Sequence, residues 1–237
     1  MVEARAQPAV RFYLLHLGGA LLLAATSLLI VEQFRIDQWV SNLFFDPVLG
    51  RFPLRDDWFL EKVMHIGVKN AVVGVGLLVL AAWIASFRLK RLAKWRPLLQ
   101  FLFVAMVLSS SAVSLIKSAS GKHCPYDLEQ YGGTVPLVGL LEGLPQGVKP
   151  GKCWPGGHAS AGFCLLAFYF AALKVGRRGM AASLLAGSLL LGFVLGMGRV
   201  AQGAHFVSHN LWSALICWLV ILALYEFLLR RASPPKW

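Results

Sequence analysis

The sequence predicts an all-α integral membrane protein with six transmembrane helices. Apolar residues make up 57% of the 237 positions and charged residues only 14%. The apolar residues fall into blocks of roughly 17–25 residues, which is the length that a spanning helix requires. Lysine and arginine are distributed unevenly between the intervening loops, as a membrane topology requires. We therefore expect one membrane domain over residues 1–237.

The six predicted spans follow from the apolar blocks in chain order. They cover residues 12–31, 70–87, 98–117, 157–174, 180–197 and 207–229. Arg5 and Arg11 precede the first block, as they would in a secretory signal. The block lacks a small-x-small cleavage site, however, so we interpret it as a retained span. An even number of spans places both termini on one side.

Basic residues are concentrated on that side of the membrane. The termini and the loops 88–97 and 174–179 carry 13 Lys or Arg residues and two acidic residues. The other side carries 10 Lys or Arg residues and nine acidic residues. The positive-inside rule therefore places both termini in the cytoplasm. Anionic lipid headgroups explain the net charge of +12 better than nucleic acid does, because no basic stripe with interleaved aromatics accompanies it.

Two long loops are predicted on the outer side. Residues 32–69 mix aromatic and charged side chains, which is typical either of a segment in the headgroup region or of packing over the helix ends. Residues 118–156 are rich in glycine and proline and should form an irregular loop. Cys124 and Cys153 both lie in this loop and form either a disulfide or two free thiols.

Three polar clusters lie at the outer ends of the last four predicted spans. They are residues 117–125, 153–158 and 198–209. The third reads GRVAQGAHFVSH and places Arg199, His205 and His209 between two apolar spans. Such groups are costly to desolvate, so their position at a membrane edge indicates a functional site. A cation beside an imidazole suits chemistry on a phosphate.

The histidines also allow a purely structural interpretation and a metal-binding one. His205 and His209 share a helix face and can form an interfacial polar pair, whereas His158 can cap a helix. The same three histidines can supply zinc ligands, but two nearby cations disfavour a metal and we expect none. His65 and His123 have no spacing partner and are assigned no role.

The three clusters resemble the signature of the type-2 phosphatidic acid phosphatase superfamily, which includes the vanadium haloperoxidases. That signature is Lys-x6-Arg-Pro, Pro-Ser-Gly-His and Ser-Arg-x5-His-x3-Asp, on a six-helix core. The matching residues here are Lys117, Pro125, Pro155, Gly157, His158, Arg199 and His205. The matches occur in the family's order, and all of them lie on one predicted side of the membrane.

The resemblance implies a hydrolase that removes phosphate from a lipid phosphomonoester or pyrophosphate in a bacterial inner membrane. Its site faces the periplasm or exterior, its partners are the bilayer and the lipid phosphate, and it needs no cofactor. Substrates of this class include undecaprenyl pyrophosphate, phosphatidylglycerol phosphate, phosphatidic acid and lipid A phosphates. A phosphotransferase that passes the phosphate to a second lipid is a related alternative.

The family's catalytic roles carry over to matching positions. His205 attacks phosphorus and forms a phosphohistidine. His158 protonates the leaving oxygen and then activates water. The phosphate ligands that the resemblance implies are the side chains of Lys117 and Arg199 and the backbone amides of Gly156 and Gly157.

Three departures from the family pattern concern phosphate binding. Cys124 replaces the arginine of the first motif, which leaves Lys122 as the nearest substitute ligand. Gly156 and Gly198 replace serines. Cys124 lies within the first motif and Cys153 lies beside the second. A disulfide between them would therefore hold these two motifs together.

The fourth departure concerns the nucleophile. His209 occupies the position of the aspartate that orients the nucleophilic histidine in the family. A neutral His209 can accept a hydrogen bond from His205 but cannot balance an imidazolium charge as a carboxylate does. Other residues that can assist are Asp127, Glu129 and Asn210. The missing arginine and aspartate also favour, as a further alternative, a catalytically silent lipid-binding or transport protein.

Overall fold

The computed structural model describes residues 10–140 and 142–230, in which the regular structure is helical. The principal helices are α1 (Val10–Gln33), α2 (Ile36–Asn42), α3 (Phe59–Ala85), α4 (Arg96–Ala119), α5 (Ala159–Lys174), α6 (Arg178–Ala201) and α7 (Val207–Arg230). Single turns of helix cover Lys90–Ala93, Pro125–Asp127 and Glu129–Tyr131. The charged residues Glu3, Arg5, Arg231 and Lys236, which contribute to the predicted charge asymmetry, lie outside the described residues.

Five of the helices, α1, α3, α4, α6 and α7, are long and apolar enough to span a membrane, with 24 to 27 residues each. Large apolar side chains point outward from them; Leu22 and Leu23 of α1 are each 70% exposed. A surface of this kind is stable against lipid but not against water. The predicted all-helical, multi-pass membrane protein is confirmed to this extent, whereas α5 is shorter than a typical span.

Helix α3 begins earlier than its apolar block predicts. The predicted span starts at residue 70, but α3 starts at Phe59, and its first turns are wound as a π-helix over Phe59–Gly67. Glu61 and His65 interrupt the apolar pattern in these turns. Both side chains contact residues of other helices, so the helix continues through them. The end of the predicted outer loop 32–69 is therefore helical.

Glycines allow α5 to pack closely against α6. A Cβ on Gly162 would lie 2.3 Å from the backbone nitrogen of Gly192. A Cβ on Gly192 would lie 2.2 Å from the ring of Phe163. Only residues without side chains permit such an approach, which is a common way for helices to associate within a membrane.

Helix α5 also runs parallel to α7 along most of its length. At one end the Gly156 N–H donates to the carbonyl of His209 at 3.1 Å. At the other end the Lys174 ammonium donates to the carbonyl of Leu229. Although α5 is short, its two ends therefore reach the same levels of the bundle as the two ends of α7.

The two long loops cover the end of the bundle that carries the motifs. Phe52 of the first loop packs against Tyr131 of the second, with ring centroids 5.3 Å apart. Phe52 also fills space that a side chain at Gly203 would need, since a Cβ there would lie 2.3 Å from its ring. Trp39 and Trp58 in the first loop are 62% and 67% exposed, as expected of aromatic side chains in the headgroup region. The first loop thus packs over the helix ends, which is one of the two predicted arrangements, whereas its placement in the headgroup region stays a prediction.

Candidate active site

The ends of four helices bring the three motifs together beneath these loops. Lys117 lies in the last turn of α4, Arg199 in the last turn of α6, and His158 directly before α5. His205 lies in the turn between α6 and α7, and its ring centroid is 6.5 Å from that of His158. A Cβ on Gly157 would lie 3.6 Å from the Nζ of Lys117. Two cations and two imidazoles therefore share one small volume.

His205 and His209 form a buried pair behind this volume. Their side chains belong to residues only 2% and 6% exposed, and their Nδ1 atoms are 3.3 Å apart. His209 also hydrogen-bonds the backbone of Cys153. With Nδ1 of His205 directed toward His209, the nitrogen left for chemistry is Nε2. Burial, reinforced by His209 and Lys117, holds the pKa of His205 well below its ordinary value, so its imidazole is neutral and nucleophilic.

The Arg199 guanidinium is held by groups from two helices. Its Nη1 donates to the Oε1 of Gln202 at 2.7 Å and to the Oε2 of Glu61 at 3.0 Å. Gln202 is itself fixed, because its amide donates to the carbonyl of Arg55. The Nε of Arg199 is buried and has no hydrogen-bond partner among the described residues. A bound anion can accept from this nitrogen while the Nη1 contacts persist.

Glu61 and His65 are site residues that the sequence reasoning missed. The Oε2 of Glu61 lies 3.2 Å from the Nδ1 of His65, which in turn lies 3.2 Å from Nη1 of Arg199. The ring of His65 packs on the ring of His158 with centroids 3.6 Å apart. The i,i+4 spacing of Glu61 and His65 was the available signal. It was overlooked because the helix was predicted to begin after both residues.

His158 is neutral in this environment. Burial is the main cause that lowers its pKa, and together with the neighbouring His65, Arg199 and Lys117 it brings the pKa to about 3. Its Nδ1 is buried and has no hydrogen-bond partner among the described residues. An anion bound beside the two cations would offset their charge and raise the pKa of His158 again.

The structure explains the glycine at position 156 and changes its expected role. The N–H of Gly156 donates to the carbonyl of His209, so the donor expected to bind phosphate is already used. A Cβ on Gly156 would lie 2.8 Å from the Oδ1 of Asn210. Asn210 thus fills the space where the family's serine would project. Gly157, the other predicted backbone donor, lies beside Lys117.

The loop of residues 118–156 is tied to the site by its cysteines. Cys124 and Cys153 are joined by a disulfide with their Cα atoms 5.1 Å apart. Lys122 does not join the cation cluster, because its ammonium donates to the carbonyls of Gly139 and Glu142 at 2.6 and 2.7 Å. Its expected role as a substitute phosphate ligand therefore finds no geometric support.

Asp37 of α2 is a third residue that the sequence reasoning missed. Its Oδ1 accepts from the backbone N–H of Ser208 at 2.8 Å, and its Oδ2 accepts from the Ser208 hydroxyl. These bonds cap the N-terminus of α7 from a distant segment and so hold the turn that carries His205. Asp127 and Asn210, considered as assistants, form no hydrogen bond with His205: Asp127 accepts from the backbone N–H of Cys124, and neither polar side-chain atom of Asn210 has a partner within the described part of the chain.

Two cavities border the site. A small one is lined by residues that include His65, His158 and Arg199. A large one of about 880 Å³ reaches His209 from the side of α1 and α7. Its walls combine apolar side chains such as Leu28 with polar groups of the outer loop. Its volume is in the range of sites that hold a sizeable organic ligand.

Three of the buried groups have the chemistry of metal ligands. Cys153, His205 and His209 offer ligand atoms that all lie within 4.8 Å of one another. This set differs from the predicted alternative, in which His158 was the third member. Cys153 is engaged in the disulfide, and a disulfide sulfur is a much weaker metal ligand than a thiolate.

Residues 98–233 match the family model described as the PAP2 superfamily. The matched region contains α4 to α7 and all the residues of the three motifs. No curated protein and no solved structure matches the chain significantly.

Proposed function

Since the chain belongs to the PAP2 superfamily, whose members are mostly phosphatases, we propose that it is a membrane phosphatase acting on a lipid phosphomonoester or pyrophosphate. The observation that carries the proposal is a neutral, buried His205 whose Nδ1 is held by His209 while Lys117 and Arg199 lie nearby. Such a pairing of a fixed nucleophile with fixed cations suits attack on phosphorus.

Arg199 and Lys117 bind the phosphate in this mechanism. Arg199 keeps Nη1 on Glu61 and presents its remaining N–H groups, including the unpaired Nε, to the non-bridging oxygens. The Lys117 ammonium binds from the end of α4. Because Glu61 already neutralises part of the arginine charge, it weakens ground-state binding and helps phosphate leave after reaction.

The nucleophilic step begins at Nε2 of His205. Its lone pair forms the N–P bond while the bond from phosphorus to the leaving oxygen breaks, and His158 gives that oxygen a proton. His205 carries a positive charge in the resulting phosphohistidine, and its Nδ1–H donates to Nδ1 of His209. Water then attacks phosphorus as His158 removes its proton, which releases phosphate and restores the neutral His205.

We further propose six membrane crossings, with α5 as the sixth and both termini in the cytoplasm. This topology is supported by α5 running beside α7 from the active site to Leu229. The basic residues of the described loops at 88–96 and 177–178 then lie at the end of the bundle opposite the site. The site thus faces the outer leaflet, and the membrane is proposed to be a bacterial inner membrane.

A panel assay tests the proposed function. The purified protein in detergent micelles is expected to release inorganic phosphate from at least one lipid phosphomonoester or pyrophosphate. Vanadate should block the reaction because it occupies the phosphate site, whereas a metal chelator should leave it intact. The proposal is wrong if no lipid in the panel loses phosphate, and the silent lipid-binding alternative then gains.

A lipid phosphotransferase is the second candidate, favoured by the cavity of about 880 Å³ on the far side of His209. That cavity offers room for a second lipid in addition to the donor. Radiolabelled phosphate distinguishes the two activities. A hydrolase releases the label into water, whereas a transferase moves it onto an added acceptor lipid and releases little.

The role of His209 is tested by comparing His209→Ala with His209→Asp. Loss of the hydrogen bond to His205 in His209→Ala is expected to lower kcat by about 10–100-fold, the effect of a bond of about 1.5–3 kcal/mol to a charged group. His209→Asp should retain more activity than His209→Ala, because a carboxylate also holds the nucleophile. Equal kcat values for wild type and His209→Ala would exclude a role for His209 in orientation.

A further inference from the structure

The nucleophile lies directly against the disulfide. The Sγ of Cys153 is 3.5 Å from Nδ1 of His205, and that nitrogen is 3.3 Å from Nδ1 of His209. All three side chains belong to residues less than one-tenth exposed. Cys124 contributes the other sulfur of the disulfide. One sulfur and two imidazole nitrogens therefore meet at one buried point, and the second sulfur is bonded to the first.

Two of the separations among these atoms match those in a tetrahedral zinc site. Zinc bonds of about 2.0–2.1 Å to nitrogen and about 2.3 Å to sulfur place two nitrogen ligands about 3.4 Å apart and a sulfur and a nitrogen about 3.6 Å apart. The separations of 3.3 and 3.5 Å here are close to both values. Two cysteines with two histidines are also a common closed zinc set. The disulfide prevents binding, since neither sulfur is then a thiolate.

We propose that reduction of the Cys124–Cys153 disulfide creates a zinc site formed by both cysteines, His205 and His209, and that zinc bound there switches the nucleophile off. The reductant is a dithiol: it becomes a disulfide while the two cysteines become thiols. Zn²⁺ then displaces one proton from each thiol. The charge of the ion is balanced by the two thiolates, so the buried site stays neutral.

Zinc stops the chemistry through the proton on His205. A neutral imidazole has one N–H, and coordination at Nδ1 leaves that proton on Nε2. The lone pair that would attack phosphorus is then absent. This inhibitory effect rests on the proposed function, whereas the metal site itself does not.

The large cavity gives the ion a route to the site. His209 lines that cavity, and so do the carboxylates of Glu32, Asp37 and Glu142 and the imidazole of His123. The three carboxylates outnumber the two cations of the same wall, Arg35 and Lys122, so the wall attracts a divalent cation. The phosphate side of the site is not needed for entry.

Metal content measured on the purified protein tests the site directly. The oxidised and the phosphine-reduced protein are each incubated with Zn²⁺, passed through a desalting column and analysed for bound zinc. We expect about one ion per reduced chain and almost none per oxidised chain. Co²⁺ in place of zinc should give the visible absorption of a tetrahedral thiolate site only after reduction.

Two variants and a matched control make the test specific. His209→Asn keeps the disulfide, and Cys153→Ser removes a sulfur; both should retain less than a tenth of the wild-type metal after reduction. Cys164→Ser removes a buried thiol of α5 and should bind like wild type. The proposal is overturned if reduced wild type retains no metal, as when the Cys153 thiol simply donates to the carbonyl of Ala204, which lies 2.8 Å away. It is also overturned if His209→Asn retains as much metal as wild type.

Activity measurements separate this proposal from the proposed function. Zinc should inhibit phosphate release by the reduced protein at least tenfold, and a chelator should restore it. Zinc binding without any phosphatase activity would support the metal site and contradict the proposed function. Phosphatase activity that zinc leaves unchanged in a zinc-loaded, reduced protein would contradict the switch.

Discussion

His205→Ala is expected to reduce phosphate release to the background of the assay. In the proposed mechanism the His205 imidazole supplies the nitrogen of the N–P bond, whereas Lys117 and Arg199 bind the phosphate and His158 transfers protons. Removing a covalent nucleophile from a site of this kind lowers kcat by about 10⁴-fold or more. The expected change lies in kcat, because the phosphate ligands stay in place and lipid binding is largely kept.

The measurement uses ³²P-labelled lipid with wild type, His205→Ala and a matched histidine control. His123→Ala is the control, because His123 hydrogen-bonds a loop carbonyl, that of Lys149, and is not one of the residues that match the family's motifs. It should keep wild-type kcat to within a few fold. After acid-free gel electrophoresis, wild type should carry label on the protein and His205→Ala none. Labelled, active His205→Ala would show that another residue is the nucleophile.

His158→Asn is expected to lower kcat by about 10²–10⁴-fold, the usual contribution of a general acid–base group. Asparagine cannot protonate the leaving oxygen or remove a proton from water. With a lipid pyrophosphate the leaving group is itself a phosphate and needs little protonation, so the first transfer should persist. Rapid quenching should then reveal a burst of up to one product per chain and an accumulated phosphoenzyme.

The same residue predicts the pH dependence of the wild type. The pKa of His158 is lowered to about 3, so in the free protein it is neutral throughout the physiological range. The proton that His158 transfers must then come from the substrate. A phosphomonoester carries such a proton only as a monoanion, below its second pKa of about 6. We expect kcat/KM to fall about tenfold per pH unit well above that value.

This fall should disappear in His158→Asn, which has no proton to transfer. His123→Asn should keep the wild-type profile. A wild-type kcat/KM that stays constant between pH 6 and 9 would contradict a general acid with so low a pKa. An unchanged kcat in His158→Asn without a burst would exclude His158 from both proton transfers.

The outline of the fold could be predicted because a spanning helix is a local property. An apolar block of sufficient length has to be helical in lipid whatever its neighbours are, since its backbone groups have no other hydrogen-bond partners. The predicted start of the helix is wrong for α3, because Glu61 and His65 break the apolar pattern there. Whether such residues continue a helix depends on partners elsewhere in the chain, and Arg199 is 134 or more residues away.

The motif residues were also recognisable in the sequence, because their types and order resemble a family whose match covers residues 98–233. The roles of single atoms could not be recognised in the sequence. Gly156 uses its amide on His209, and Lys122 uses its ammonium on Gly139 and Glu142. Backbone and side-chain donors bind whichever acceptor the folded chain brings nearest, and the spacing of motifs carries no such information.

The sequence by itself therefore predicted a helical membrane protein with Lys117, His158, Arg199 and His205 as its candidate reactive residues. Composition and motif order are properties of the sequence alone, so no coordinates are needed to find them. Only the tertiary structure decided that His209 faces Nδ1 of His205, that Asp37 holds their turn, and that a disulfide lies against the nucleophile. Each of these contacts joins segments that are distant in sequence or depends on a side-chain direction, and packing alone selects them.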